Sequence, residues 1–286
     1  MAVRTADQGV VLINVLVILT LTASVVYAMV SLSELSITRS QRFSSAGQAL
    51  ALIAAGEASA IVALRRDMVD APKTDHNGEA WAQVGQDEVE ISAGRFALKI
   101  EDAQGRFNLN SLPGSGALGA QILQRIVVAL ELPLDVGPRI AARLAQTDPL
   151  VRMADLVAEA GISPADLTRL AKLVTVLPGR TGINVNTAPE ALLAVITDNP
   201  VQARRLEGIR TRNGFITPGD VAAAQIILPA AVGFVSRYFL VTTNVTVDGT
   251  AQQMETLLQR RSGRDGQPEV VAVFRQIPVG VVTTPQ

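Results

Sequence analysis

Hydrophobic positions follow three regimes along this chain. From Val10 to Ser33 the sequence VVLINVLVILTLTASVVYAMVSLS is apolar on every side and holds no charge over 24 positions. Bilayer hydrocarbon takes roughly 20 apolar helical residues to cross, so the run predicts a membrane-inserted helix. From Glu34 the apolar and small residues narrow to one face: Leu35, Thr38, Ala46, Leu50, Ile53, Ala54, Ala58, Ile61 and Leu64 recur close to a 3.6-residue period. Gly47 and Gly56 interrupt this pattern without breaking it, and the first proline is Pro72. One helix is expected from about residue 10 to about residue 67, on the order of 85 Å long.

Beyond it the period falls to two. DEVEISAG, RFALKIEDA and GRFNLNSL predict three short strands, with Val89 and Ile91 on one face, then Phe96, Leu98 and Ile100, then Phe107 and Leu109. A helical stretch follows over roughly 115–230, broken by Pro and Gly into short helices. Asp135, Ser163 and Thr187 read as N-caps, with Pro164 and Pro189 at first helical positions. After Arg237 alternation returns in RYFLVTTNVTVDG, QQMETLLQRRSG and EVVAVFRQI, with turns at Asp248-Gly249 and Arg264-Asp265-Gly266. Helices flanked on both sides by strands describe one sheet interrupted by an excursion. The fold class is α+β: a long helix on an antiparallel sheet, with a large all-α insert.

Composition narrows the function. The 286 residues carry a net charge of −1, which gives no electrostatic case for nucleic acid. The chain has no cysteine, which removes disulfides, thiolate metal sites and cysteine nucleophiles. Its single histidine, His76, lies in the polar loop KTDHNGE, the place of a solvated side chain. No Walker motif or glycine fingerprint follows a strand, and nothing points to an enzyme.

The insert holds one motif of known shape. GINVNTAPEALLAVITDNPVQARRLEGIRTRNGFITPGDV has the form of half a helix-hairpin-helix (SAM-like) module, which offers an alternative function: a membrane-tethered DNA-binding protein of the competence type. A DNA-binding hairpin exposes backbone N–H groups to phosphate, whereas here the turn reads ITDNP. Arg204, Arg205, Arg210 and Arg212 are also offset by Glu190, Asp198, Glu207 and Asp220. The net basic face that phosphate binding needs is missing.

The leader carries the first resemblance. MAVRTADQG is too short and too weakly basic for a secretory signal, yet it ends in Gly9 directly before the apolar helix, and so resembles the leader of type IV pilin-like subunits. That resemblance implies prepilin peptidase cleavage between Gly9 and Val10, with methylation of the new amine of Val10. Most such subunits carry Glu at mature position five, where this chain has Asn14. A carboxylate in hydrocarbon must be paired to be tolerated, so its loss suits a subunit at the end of a fibre, which lacks one neighbour. Arg4 before the span against Arg39 and Arg42 after it does not orient the chain by charge. The cytoplasmic N-terminus rests on the resemblance.

A second resemblance spans nearly the whole chain. NLNSL, VTVLPGRTGINVNTAPEALLAVI, SRYFLV and LLQRR, in that order, together with the missing Glu, resemble the K-type minor pseudopilin of type II secretion systems. The likeness implies a pilin-like sheet and a non-enzymatic role. The subunit would cap and initiate a periplasmic pseudopilus with two smaller minor pseudopilins, held in the cell inner membrane with its globular part in the periplasm. Secreted cargo and the secretin channel are further candidate partners. The implied organisation is a leader at 1–9, a transmembrane half-helix at 10–33 and an amphipathic half at 34–68. The β domain then occupies 69–114 and 233–286, around an insert at 115–232. No cofactor is expected. The family's metal is calcium, a hard ion needing several oxygens, and Asp102, Asn108, Asn110, Asp148 and Asp155 are candidate oxygens that fit caps or turns better. The longer acidic loop usual in the family is here only QTDPLVRM, so no ligand is assigned.

Overall fold

The structure, a computed structural model, describes residues 6–92, 94–146 and 148–278. Helix α1 runs unbroken from Ala6 to Asp70, 65 residues. It tolerates its hydroxyl residues because Thr20, Thr22, Ser24 and Thr38 each bond back to a carbonyl one turn earlier. A loop and the short helix α2 (Ala80–Gln83) follow, and α2 buries Trp81 edge-on against Phe239, ring centroids 5.0 Å apart. Strands β1 (Gln86–Ile91) and β2 (Gly94–Asp102) begin the sheet.

The chain then leaves the sheet at once. Strand β3 is only Phe107–Asn108, and it pairs in parallel with β4 (Val174–Thr175), far along the chain. The third sheet strand expected from GRFNLNSL is therefore absent. Phe107, Leu109 and Leu112 are buried in the insert's own core, where they meet Ile122, Ile126 and Ile140. The alternation that suggested a strand is the way one short segment plugs an apolar pocket.

Between β3 and β4 lie α3 (Gly116–Ala129), α4 (Val136–Gln146), α5 (Asp155–Ala160) and α6 (Pro164–Leu170). Ser163 caps α6 as expected, its hydroxyl accepting from Asp166 N–H at 3.1 Å with Pro164 first in the helix. Asp135 stands immediately before α4 and makes an ion pair with Arg139. A second group opens on β5 (Ile183–Asn184) and continues through α7 (Glu190–Thr197), α8 (Pro200–Asn213) and α9 (Pro218–Ala223). It closes on β6 (Val232–Gly233), parallel to β5. Thr187 is not a cap: α7 starts at Glu190 with Pro189 as its N-cap, and the Thr187 hydroxyl donates instead to the carboxylate of Asp102.

The two groups share one plan. Each opens on Asn-X-Asn followed by a hydroxyl: Asn108-Leu109-Asn110-Ser111, then Asn184-Val185-Asn186-Thr187. Within each, an acidic residue in left-handed conformation ends the first helix, Glu131 at φ 52° and Asp198 at φ 51°, with a proline two residues on. The second Asn of each motif clamps both backbone groups of a residue beyond the helix pair. Asn110 holds Leu150 at 2.9 Å on each side, and Asn186 holds Ile216 at 2.6 and 3.2 Å. The hairpin legible in the sequence is the second of two such units.

The sheet resumes with β7 (Tyr238–Val247), β8 (Thr250–Ser262) and β9 (Pro268–Gln276). The order is β1-β2-β7-β8-β9, antiparallel throughout. Asp248 (φ 47°) and Gly249 (φ 76°) make the two-residue turn between β7 and β8, a geometry with both residues at positive φ that matches strand twist. One face of the sheet packs on α1 around Ala60, Leu64, Leu98, Phe239, Val241 and Leu258. This core is separate from that of the insert.

Candidate functional site

Helix α1 divides sharply by its surroundings. Every position from 11 to 44 is exposed, including Leu12, Ile18, Leu32 and Phe43. Burial begins at Ser45, whose hydroxyl donates to Asp248 at 2.8 Å on the tip of the β7–β8 hairpin. From there Ala49, Ile53, Gly56, Ala60, Ala63, Leu64 and Asp67 face the sheet. This contact face is rotated from the one the sequence indicates. Ile53 and Leu64 lie on it, but Leu50, Ala54 and Ala58 point to solvent. Small residues form the face because the sheet comes close to the helix.

The far end of the same face enters a buried polar seam. Arg260 on β8 bonds Asp67 at 2.6 Å and Asp75, and its guanidinium lies 4.3 Å above the ring of Phe239. Asp75 also accepts from Ser236 N–H at 2.6 Å. Glu79 accepts from the Trp81 indole at 2.7 Å and from His76 N–H at 3.1 Å. Asp102, at the end of β2, accepts from Thr187 at 2.6 Å, Ser236 at 2.7 Å, Asn184 at 2.8 Å and the backbone of Gln104 at 2.8 Å. Asn184 reaches the Asp75 carbonyl at 2.9 Å as well. Helix, sheet and insert thus meet in a single hydrogen-bonded network.

Burial sets the ionisation of these acids. It pushes Asp75 up to about 7, against the attraction of Arg260 and with help from the charge of Asp102. Burial raises Glu79 and Asp102 also, opposed by their hydrogen-bond donors. Nearer the middle of α1, Glu57 behaves oppositely: its two-point pair with Arg275 holds it below the usual carboxylate range.

The residues singled out in the sequence fall as follows. Gly9 and Val10 lie within the α1 backbone, while residues 1–5 of the leader are outside the described residues. Asn14 is exposed on α1, and its side chain makes no hydrogen bond among the described residues. His76, expected in solvent, is stacked on Phe215 of the insert with centroids 4.6 Å apart. Its Nδ1 accepts from Gly78 N–H, and its Nε2 lies 3.4 Å from Glu79. Of the candidate metal oxygens, Asp102 belongs to the seam. Asn108 and Asn110 pin the backbone of the insert, and Asp155 pairs with Arg152. They do not converge with Asp148. Among the described residues the acids that do converge are Asp67, Asp75 and Glu79, beside the Arg260 guanidinium. The sequence did not signal this group, because the arginine that holds Asp67 and Asp75 together is 193 positions from Asp67.

The second hairpin is closed to phosphate. Asn199 accepts from Val201 N–H at 2.9 Å and Gln202 N–H at 3.2 Å, filling the amides a DNA backbone would need. Arg125 pairs with Asp198 at 2.7 Å, and Arg210 is spent on the carbonyls of Asn186 and Ala188 and on Glu207. DNA binding has no support here.

A bare apolar rod sheathed at one end by an α+β head defines a pilin-like subunit. No protein-family profile matches the chain. The chain is 29% identical to type II secretion system protein K of Pseudomonas aeruginosa, over 94% of this chain and 93% of that protein. It is 28% identical to the protein of the same name from Klebsiella pneumoniae, over 89% and 93%. Its fold matches a chain of the GspK–GspI–GspJ complex crystal structure from the enterotoxigenic Escherichia coli type 2 secretion system. That match has a TM-score of 0.66 and 20% identity, covering 85% of this chain and all of that one. Over nearly its whole length the chain is thus similar to type II secretion system protein K, in sequence and in fold.

Proposed function

We propose that this chain forms the tip of a type II secretion pseudopilus, anchored in the inner membrane with its head in the periplasm. The observation that carries this is α1, bare and apolar from 11 to 33, then sheathed by the head from Ser45 to Asp67. A helix that meets no packed partner among the described residues over that apolar length needs lipid or other helices as its solvent. As in the complex of its structural relative, two smaller minor pseudopilins would be its partners. The role is assembly, not catalysis, and in keeping with this the buried acids are each engaged by donors. A prepilin peptidase would cut between Gly9 and Val10 and methylate Val10.

Intact mass and N-terminal fragmentation of the protein recovered from membranes test the reading. The expected species starts at a methylated Val10, and Gly9→Val should retain the leader, because a branched side chain would crowd the peptidase subsite. Recovery of the parent chain still carrying Met1 would overturn the cleavage. Failure of the chain to co-purify with any smaller minor pseudopilin would overturn the tip role.

A further inference from the structure

Two Asn-Gly pairs stand in this chain, Asn77-Gly78 and Asn213-Gly214. In such a pair the glycine, having no Cβ, lets its backbone nitrogen approach the asparagine side-chain carbonyl. Attack by that nitrogen depends on where its proton goes, and the fold treats the two pairs oppositely. Gly214 ends α8 at φ 85°, and its N–H donates to the Arg210 carbonyl at 2.8 Å. A carbonyl holds that proton but does not remove it. The Asn213 side-chain amide also donates to Asp220 at 3.4 Å.

Gly78 N–H donates instead to a base. His76 Nδ1 accepts it at 3.1 Å, so Nδ1 is the unprotonated ring nitrogen and Nε2 carries its hydrogen 3.4 Å from Glu79. Stacking on Phe215, with the two rings 7° from parallel, holds the imidazole in this position. Glu79 N–H closes the turn on the His76 carbonyl at 3.1 Å. Asn77 and Gly78 are exposed at its tip, and the Asn77 side chain has no hydrogen-bond partner among the described residues.

We infer that Asn77 is a self-modification site, where His76 serves as the base that converts it to aspartate and isoaspartate. His76 Nδ1 takes the Gly78 amide proton as that nitrogen bonds to Asn77 Cγ, closing a cyclic imide. The imidazolium returns the proton to the side-chain nitrogen, which leaves as ammonia. Water then opens the ring at either carbonyl, giving aspartate or isoaspartate at position 77. The co-reactant is water alone, and the exposed turn admits it. The product is a new carboxylate between Asp75 and Glu79, two acids of the buried seam. The isoaspartate form also lengthens the main chain there by one carbon.

Peptide mapping of the full chain, aged in detergent in heavy-oxygen water, reads both pairs in one sample. The heavy oxygen marks conversion during ageing and separates it from any during digestion. Asn77 should convert at least about tenfold faster than Asn213, well within what a positioned base supplies. His76→Phe keeps a ring to stack on Phe215 but removes the base, and should bring Asn77 down to the pace of Asn213. In urea, which dissolves the turn and the helix end alike, the gap should narrow sharply. Asn77 that stays intact while Asn213 converts overturns the site. An undiminished rate in His76→Phe overturns the base, and a gap that survives urea overturns the folded turn as its cause. The comparison of the two pairs in the parent chain needs no variant, so it decides the matter even if His76→Phe misfolds.

Discussion

The two halves of α1 are one helix in two solvents. Over 11–33 it is bulky and apolar all round and exposed, with nothing among the described residues packed against it. Over 45–67 its contact face is mostly alanine, serine and glycine, yet that face is buried. Bulk and burial are therefore inverted along the rod. The greasy half is greasy because its neighbours lie outside the molecule. The sheathed half is small because a sheet must approach closely, as at Gly56, where an added Cβ would come within 3.2 Å of the Phe96 ring.

The strongest test of this contrast is a charge in the first half. Ile18→Arg should deplete the chain from the membrane fraction, since insertion scales set about 2.5–3.5 kcal/mol against an arginine at mid-span. The same change on the exposed side of the second half, Ala54→Arg, should move unfolding by no more than about 0.5 kcal/mol. Equal losses in both would erase the distinction.

Next in size is the seam that anchors the second half. Arg260→Met should cost about 3–5 kcal/mol in a denaturant melt of the full chain in detergent, because it strands two buried carboxylates. Adding Asp67→Asn and Asp75→Asn should recover much of that loss, and no recovery would refute charge balance as the seam's role. A smaller penalty, about 1–3 kcal/mol, is expected for Gly56→Val, which overfills the helix–sheet contact. Gly47→Ala, with nothing within 4 Å of its added methyl, should instead stabilise by up to about 1 kcal/mol through helix propensity.

The last effect is with pH. Asp75 has a folded value of about 7, against about 3.9 for an unperturbed aspartate. The folded chain keeps a proton that the unfolded chain has released. Its contribution is complete below about pH 4, declines as pH rises to 7 and is flat beyond. Asp102 and Glu79 shift in the same direction. Thermal unfolding in detergent should give a Tm several degrees higher at pH 5 than at pH 8, and Asp75→Asn should reduce that difference. A Tm that rises with pH would reverse the sign.

Local features of the sequence foretold the elements with local causes. The length of α1, the turn at Asp248-Gly249, the cap at Ser163 and the hairpin around Asp198 all follow from residues within a few positions of one another. The misreadings share a different origin. The strand at Phe107 is consumed by the insert's core, Thr187 answers to Asp102 rather than to its own helix, and His76 stacks on a ring 139 positions away in numbering (215 − 76). These depend on partners that sequence proximity does not reveal. The first of the two insert units was readable in principle, since Asn108-X-Asn110-Ser111 repeats the pattern at Asn184.

The Ser45–Asp248 bond has a mechanical consequence. Together with Asp67–Arg260 it fastens the two ends of a contact about 33 Å long at 1.5 Å per residue. An axial thrust entering the rod from the bilayer side would be shared as shear along β7 and β8, with no single pivot to yield. The head would then advance and rotate with the shaft as one piece, like a spearhead riveted at both ends of its socket.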